Sequence, residues 1–114
     1  MSKFTEAIDL YKAEMTTMGL EFDETLLAAV AKGLGPSIYN NDSSRVSGTD
    51  QSELDRLKAN FLIKKLGLED GTALDEAMAG VITQMGSANR NKYRAIFYYL
   101  LVKKFGKESV YAAS

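Results

Sequence analysis

Apolar residues recur at helical spacing along most of the chain. Near the N-terminus, Phe4, Ile8, Tyr11, Met15 and Met18 follow one another at intervals of four, three, four and three positions. This spacing places them on one side of an α-helix and fits no β-strand. Four later segments carry comparable apolar stripes, so the sequence predicts five helices.

Polar residues mark the predicted starts of helices two, three and four. Asp23 precedes the second apolar stripe, and a carboxylate in that position accepts hydrogen bonds from the first backbone N–H groups of a helix. Asp50 and Glu53 have the spacing of a capping box before the third helix. Thr72 and Asp75 predict a similar start for the fourth helix.

The predicted helix ends share one pattern, a large apolar residue followed by glycine. Glycine adopts the left-handed conformation that closes a helix without the steric cost of a Cβ. The near-duplicate stretches KKLGLE at 64–69 and KKFGKE at 103–108 are interpreted as two of these ends, because the helix dipole favours lysine in a last turn. The five pairs are Met18-Gly19, Leu34-Gly35, Leu66-Gly67, Met85-Gly86 and Phe105-Gly106.

The fifth helix is predicted to begin at Ser87 or Asn89 and to lie inside the fold. Its stretch 95–102 is apolar on all sides, which is typical of a helix enclosed by its neighbours. We therefore expect an all-α fold, a compact bundle of about five helices with the C-terminal helix central. Residues 1–114 are expected to form a single helical domain, with a polar loop at about 37–49 and a short C-terminal tail at about 107–114.

Composition limits both the chemistry and the setting. The 114 residues include neither cysteine nor histidine, which excludes disulfides, thiolate metal sites and the most frequent general base. The longest apolar run has eight residues, far fewer than the ~20 of a membrane-spanning helix. Glu6 and Asp9 interrupt the N-terminal segment, so no signal or transit peptide is expected there. We expect a soluble, cytoplasmic protein with no membrane partner.

Charge is unevenly distributed along the chain. Residues 1–55 contain four basic and ten acidic side chains, a net charge of −6, whereas residues 56–114 contain ten basic and five acidic ones, a net charge of +5. Either the halves pack with unlike charges facing each other, or the basic half meets an acidic partner.

The first candidate functional surface is the basic start of the last helix. Cations near a helix N-terminus are disfavoured by the dipole, so something is expected to compensate them. Phosphates would do so, and so would acidic residues of helices one to three, such as Glu6, Asp9, Asp23 or Glu24. Because only about one and a half turns of the helix are expected to be exposed, too little for major-groove insertion, internal compensation or a protein partner is favoured over nucleic acid. The candidate surface comprises Arg90, Asn91, Lys92 and Arg94 together with Lys64, Lys65, Lys103 and Lys104.

The second candidate is the polar loop between helices two and three. Loops of this length in small domains are often functional, and a solvated connector is the competing interpretation. The stretch from Asp42 to Glu53 has the length of a calcium loop, but Val46 and Ser47 occupy positions that need an oxygen ligand and a glycine, so no metal is expected. The candidate loop residues are Asn40, Asn41, Asp42, Ser43, Ser44 and Arg45.

Five stretches, spread over nearly the whole chain, carry a family resemblance. They are FDETLLAAV at 22–30, GLGPSIYN at 33–40, DSS at 42–44, NFLIKKLGLEDG at 60–71 and KYRAIFYYLLVKKFGKESVYA at 92–112. With these stretches the chain resembles a family of small bacterial proteins classed only as a domain of unknown function. The resemblance implies a bacterial cytoplasmic protein and brings no activity, cofactor or catalytic residue with it.

Three functional hypotheses follow from the sequence. The preferred one is a non-enzymatic module that binds another protein or itself through its segregated acidic and basic halves. The alternative is a nucleic-acid-binding protein that uses the basic start of the last helix. The third is a small-ligand binder or a carboxylate-dependent enzyme, although no catalytic, cofactor-binding or metal-binding residue is predicted and no cofactor is expected.

Overall fold

The computed structural model describes residues 3–39, 44–46, 50–86 and 92–112. Within these ranges the fold is all-α, as predicted, and β-type pairing is limited to one isolated antiparallel bridge between Arg45 and Tyr93. The described helices are α1 (Lys3–Thr17), α2 (Glu24–Leu34), a 3₁₀-helix (Gly35–Tyr39), α3 (Gln51–Leu57), a π-helix (Lys58–Ile63), α4 (Thr72–Met85), α5 (Arg94–Phe105) and α6 (Ser109–Ala112).

Helix α5 lies at the centre of the fold and contacts α1, α2 and α4. Nearly all of its side chains from Ala95 to Val102 are buried, and Tyr98 is half-buried, so the prediction of an enclosed last helix is confirmed. The apolar stripe of α1 faces this helix with Ile8, Tyr11 and Met15 buried. Enclosure on several sides explains why α5 has no polar stripe in its sequence.

Two of the three predicted helix starts have the expected caps. The carboxylate of Asp23 accepts hydrogen bonds from the backbone N–H groups of Thr25 and Leu26, and Asp50 caps α3 in the same way. The predicted cap at Thr72 is wrong, because the cap position of α4 is occupied by Gly71, which has no side chain to accept a hydrogen bond. Thr72 is instead the first residue of the helix.

Each of the five predicted helix ends has a glycine of positive φ, but Gly35 and Gly86 do not adopt the left-handed helical conformation expected there, since their ψ angles are −151° and 114°. Among the described residues, the glycines with a positive φ angle are those of the five apolar-glycine pairs: Gly19, Gly35, Gly67, Gly86 and Gly106. At Gly19 the end is a Schellman motif, since the N–H of Gly19 donates to the carbonyl of Thr16 and the N–H of Leu20 donates to the carbonyl of Met15. The two KK-containing stretches therefore end helical segments, as the sequence indicated.

The predicted start of the last helix is wrong. Helix α5 begins at Arg94, and Tyr93 before it is extended, with φ −58° and ψ 133°. The N–H of Val46 donates to the carbonyl of Lys92 over 2.7 Å, and the N–H of Arg94 donates to the carbonyl of Ser44 over 2.7 Å. This pairing fixes the chain before Arg94 in an extended form. The two starts predicted from sequence, Ser87 and Asn89, lie outside the described residues.

The 3₁₀-helix reaches Tyr39, in agreement with the single turn that the sequence indicates at Ser37 to Tyr39. The later part of the predicted loop and the predicted tail are more structured than the sequence indicated, since the segment 44–46 packs against the start of α5. In the predicted tail, α6 folds back so that Tyr111 is buried. A Cβ at Gly33 would lie 3.5 Å from Cε1 of Tyr111, so α6 packs closely on α2 at that point.

Candidate functional site

The fold places the described residues of the predicted basic start of the last helix in enclosed positions. Lys92 is buried, with 6% of its surface exposed. Arg90 and Asn91 lie outside the described residues. The guanidinium of Arg94 points inward, because its Nη2 lies 2.8 Å from Oε1 of Glu53 and both side chains are less than one-fifth exposed. Lys92 and Arg94 therefore do not form an exposed basic patch.

The Arg94 guanidinium has further partners around it. Its Nη1 donates to the hydroxyl oxygen of Tyr98 over 3.2 Å, and its Nη2 donates to the carbonyl of Arg45 over 3.4 Å. The positive charge of Arg94 is thus neutralised within the protein by an acidic residue of α3. Internal compensation is one of the alternatives that the sequence favoured. The particular acid is Glu53 rather than one of the residues suggested from the sequence.

The candidate loop contributes two described residues to the same region. Ser44 is buried, and the guanidinium of Arg45 lies over the ring of Tyr93, with Cζ 5.5 Å from the ring centroid. The remaining candidate residues Asn40, Asn41, Asp42 and Ser43 lie outside the described residues. Ser44 and Arg45 together hold the start of α5 through the β-bridge, and this is their evident structural role.

The four lysines of the candidate surface are exposed but have different neighbours. Lys103 pairs with Glu108 at 3.6 Å, and Lys104 lies against Gly80 of α4. Lys65 lies over the ring of Tyr111, with Nζ 5.3 Å from the centroid. Lys64 is exposed beside it. The fold therefore directs Lys65 and Lys104 toward different helices rather than into one basic stripe.

Lys65 belongs to a cleft that sequence analysis did not predict. Two adjoining hollows of about 520 and 180 Å³ share Gly33, Lys65 and Tyr111 and lie between α2, the π-helix, α5 and α6. We call this region the Tyr111 cleft. Its remaining lining residues are Thr25, Ala29, Lys32, Leu34, Asn60, Phe61, Tyr98 and Val110.

The π-helix gives one wall of the Tyr111 cleft its shape. In a π-helix the hydrogen bonds join residues five apart, as from the N–H of Lys64 to the carbonyl of Ala59. Asn60 and Lys65 are five residues apart and line the same hollow for this reason. The same segment stacks Phe61 on Tyr98, with ring centroids 3.9 Å apart and an interplanar angle of 23°.

The Tyr111 cleft is positively charged and has an aromatic floor. The charged residues that line its described part are Lys32 and Lys65, and neither forms a salt bridge with a described residue. Burial, with a smaller contribution from Tyr98, raises the pKa of the Tyr111 hydroxyl to about 12, so this tyrosine is neutral at physiological pH. Apolar and aromatic groups below two exposed cations suit a ligand that is both acidic and partly apolar.

Sequence reasoning missed most of this cleft for a physical reason. Lys32, Lys65 and Tyr111 are far apart along the chain and meet only because α6 folds back onto α2. One signal was available, since Val110 and Tyr111 follow the helix end at Gly106 within a segment otherwise interpreted as a tail. Two large apolar residues so close to a terminus favour a docked segment over a free one.

A second hollow, of about 410 Å³, lies between α3 and α4. Its two lining carboxylates are both held within the protein, since Nζ of Lys58 lies 3.1 Å from Asp75 and Nε2 of Gln51 donates to Asp55 over 2.9 Å. Lys58 also lies 3.0 Å from Asp70, outside the lining, and its hydrogen bond lowers the pKa of Asp70. Carboxylates engaged in this way give the carboxylate-dependent enzyme no support at this hollow.

Two further properties concern the described part of the chain. None of its helices combines the length and the apolar content needed to cross a membrane. Its acidic side chains include no group of three or more arranged to hold a metal ion.

Fold and cleft together define the class, a small all-α protein with a cationic cleft between α2 and α6. The chain belongs to the family described as Protein of unknown function (DUF2853), whose family model matches residues 10–109. This confirms the resemblance to an uncharacterised family. A comparison with curated proteins gives no match. The family description names no activity.

Proposed function

We propose that this protein is a non-enzymatic interaction module whose Tyr111 cleft holds an acidic, partly apolar segment of a protein partner. The observation that carries the proposal is the pair of exposed cations, Lys32 and Lys65, above a floor of Ala29, Val110 and Tyr111. Carboxylates of a bound segment would meet the lysines, while its apolar side chains would cover the floor.

A protein segment fits this cleft better than nucleic acid does. Two lysines are few compared with the phosphate contacts that give nucleic acids their affinity. Tyr111 is only 9% exposed, and Lys65 lies over its ring, so no open aromatic face is offered to a base. The cations Lys92 and Arg94 of the alternative hypothesis are enclosed by the fold.

The proposed setting is the bacterial cytoplasm. This part of the proposal rests on the family resemblance and on a composition that requires no oxidising compartment.

The cleft can be tested by fluorescence anisotropy with a defined probe. The probe is a short labelled peptide in which Glu and Leu recur at helical spacing, and its comparison peptide has Gln in place of every Glu. We expect the acidic peptide to bind at low salt and the Gln peptide to bind at least about tenfold more weakly, a difference of ~1.4 kcal/mol. Binding of the acidic peptide is expected to weaken as salt is added.

Neighbouring lysines supply a matched pair of variants. Lys65→Glu reverses a charge that lines the cleft, whereas Lys64→Glu makes the same change on an exposed residue outside the lining. We expect Lys65→Glu to weaken peptide binding at least about tenfold and Lys64→Glu to change it less than about twofold. Equal losses in the two variants, or no binding of the acidic peptide at about 50 mM salt, would contradict the proposal. Tighter binding of duplex DNA than of the peptide, with a steep salt dependence, would favour the nucleic-acid alternative instead.

A further inference from the structure

The outer face of α1 carries an acidic stripe with an apolar residue at its middle. Glu6, Leu10 and Glu14 are spaced four residues apart and therefore lie along one side of the helix. Glu6 and Leu10 are exposed, and Glu14 is half-buried at the edge of this side, next to the face that α1 buries through Ile8 and Met15. Leu10 is 47% exposed, the largest exposed fraction among the large hydrophobic residues of the described chain. We call Glu6, Leu10 and Glu14 the α1 stripe.

The α1 stripe has no neutralising partner within the described chain. The salt bridges of α1 are made by Lys12, with Asp9 at 3.6 Å and with Glu24 at 3.2 Å. Neither Glu6 nor Glu14 forms a salt bridge with a described residue. Two carboxylates on either side of an exposed leucine are the chemical complement of two lysines above an apolar floor.

We propose that the occupant of the Tyr111 cleft is a second copy of this chain, which inserts its α1 stripe. This inference rests on the proposed function, because it assigns a partner to the same cleft. The carboxylates of Glu6 and Glu14 would pair with Lys32 and Lys65, and Leu10 would cover the half-buried aliphatic side chains of Ala29 and Val110. Of the two cations, only Lys65 belongs to the basic half of the sequence, so the contact would use part of the uneven charge between the halves.

The contact must form between copies rather than within one. Helix α1 is fixed in its own fold by the burial of Ile8, Tyr11 and Met15, so its outer face cannot turn toward its own cleft. The stripe and the cleft are different patches, so two arrangements can satisfy them. Two copies that exchange stripes form a closed, isologous dimer, whereas copies that each use a different neighbour form a heterologous, longer assembly.

The inference is tested by reversing the charges of the stripe and of the cleft and measuring association of the full chain by sedimentation velocity. The stripe variant is Glu6→Lys with Glu14→Lys, and the cleft variant is Lys32→Glu with Lys65→Glu. We expect the unsubstituted protein to associate with rising concentration and to dissociate with added salt. Each variant alone is expected to be monomeric, and an equimolar mixture is expected to associate at least about tenfold more tightly than either alone.

Matched controls separate these charges from others. Glu76→Lys and Lys64→Glu change exposed charges outside the stripe and the cleft, and are expected to leave association unchanged. Leu10→Ala removes the exposed apolar contact while keeping every charge, and is expected to weaken association at least about threefold without changing the unfolding midpoint. Circular dichroism establishes that each variant is folded.

The outcomes distinguish this inference from the proposed function. A protein that stays monomeric up to about 1 mM while the acidic peptide still binds would overturn the second-copy inference and leave the cleft proposal intact. Folded variants that associate as strongly as the unsubstituted protein, or a mixture that does not recover association, would also overturn it. Failure of peptide binding together with failure of self-association would overturn both.

Discussion

The guanidinium of Arg94 is held by three groups from different parts of the chain. Glu53 of α3 supplies the countercharge, Tyr98 supplies a hydroxyl one turn further along α5, and Arg45 supplies a backbone carbonyl. Since Arg94 is also the first residue of α5, these contacts fix the position at which the central helix begins. A single side chain thereby connects α3, the segment 44–46 and α5.

Replacing the countercharge at Glu53 tests this role. Glu53→Gln leaves the Arg94 cation enclosed without its carboxylate, and removing one partner of a fully buried pair typically costs about 3–5 kcal/mol. Because both side chains keep some exposure, we expect a loss of about 2–3 kcal/mol in the free energy of unfolding, measured by urea titration. The control is Glu76→Gln, at an exposed position on α4, with an expected change below about 0.5 kcal/mol. Similar changes in the two variants would show that the pair does not stabilise the fold.

Helix ends are the elements that local chemistry determines most directly. At Gly19 and Gly106 the backbone is left-handed, with φ of 72° and 64°. In both cases the glycine and the next residue donate to carbonyls of the preceding turn. The glycine that this conformation requires directly follows the large apolar residue, so the pattern could be predicted from the sequence.

An alanine at Gly19 isolates the cost of that backbone conformation. A Cβ there would meet no atom within 4 Å, so Gly19→Ala is expected to lower stability by about 1–2 kcal/mol through backbone strain alone. Gly71 is the matched control, because its φ of 168° is extended and its Cβ would also meet nothing within 4 Å. Gly71→Ala is expected to cost less than Gly19→Ala, because it loses only the preference of a helix N-cap for glycine over alanine. Equal urea midpoints for the two variants would contradict the assignment of Gly19 as an obligatory glycine.

The start of α5 and the cleft were harder to predict than the capped starts of α2 and α3, because distant residues decide them. The start of α5 depends on hydrogen bonds between 44–46 and 92–94, which local propensity does not include. For Arg94 the internal compensation that the sequence favoured is present, and the sequence did not identify Glu53 as its source. The Tyr111 cleft requires α6 to reach α2, whereas the sequence indicated only a tail. Side chains whose role is fixed by neighbours in the chain were predictable, and those placed by packing were not.

At the scale of the whole molecule, the two ends of the chain are anchored by tyrosines. Tyr11 of α1 packs against Tyr93, with ring centroids 5.4 Å apart, and Tyr111 of α6 packs beside Gly33 of α2. Burial raises the pKa of Tyr11 to about 12, with smaller contributions from Tyr93 and Tyr39. Tyr111 has its pKa raised to about 12 as well. Both hydroxyls thus resist ionisation only while the fold is intact.

This difference in pKa predicts an alkaline loss of stability. The ordinary tyrosine pKa is 10.0 and the folded value is about 12, so the unfolded chain releases its tyrosine protons first as pH rises. The stabilisation is fully present below pH 10.0 and is lost progressively as pH rises through about 12. Urea titrations at increasing pH should show a steeper decline in the unsubstituted protein than in Tyr11→Phe with Tyr111→Phe, which has no such protons. Parallel declines would contradict the prediction.

The π-helix between α3 and the Lys64–Lys65 pair also bears on how the gene can change. A π-helical turn accommodates one residue more than an α-helical turn, so the loss of one codon within 58–63 would leave a regular α-helix that still begins at Gln51. The lost residue would be the extra one of the π-turn, so the later side chains of this helix would keep their direction. An in-frame loss of three nucleotides within 58–63 would therefore leave Lys65 directed toward Tyr111, whereas the same loss within the regular turns of α3 would rotate it by about 100°.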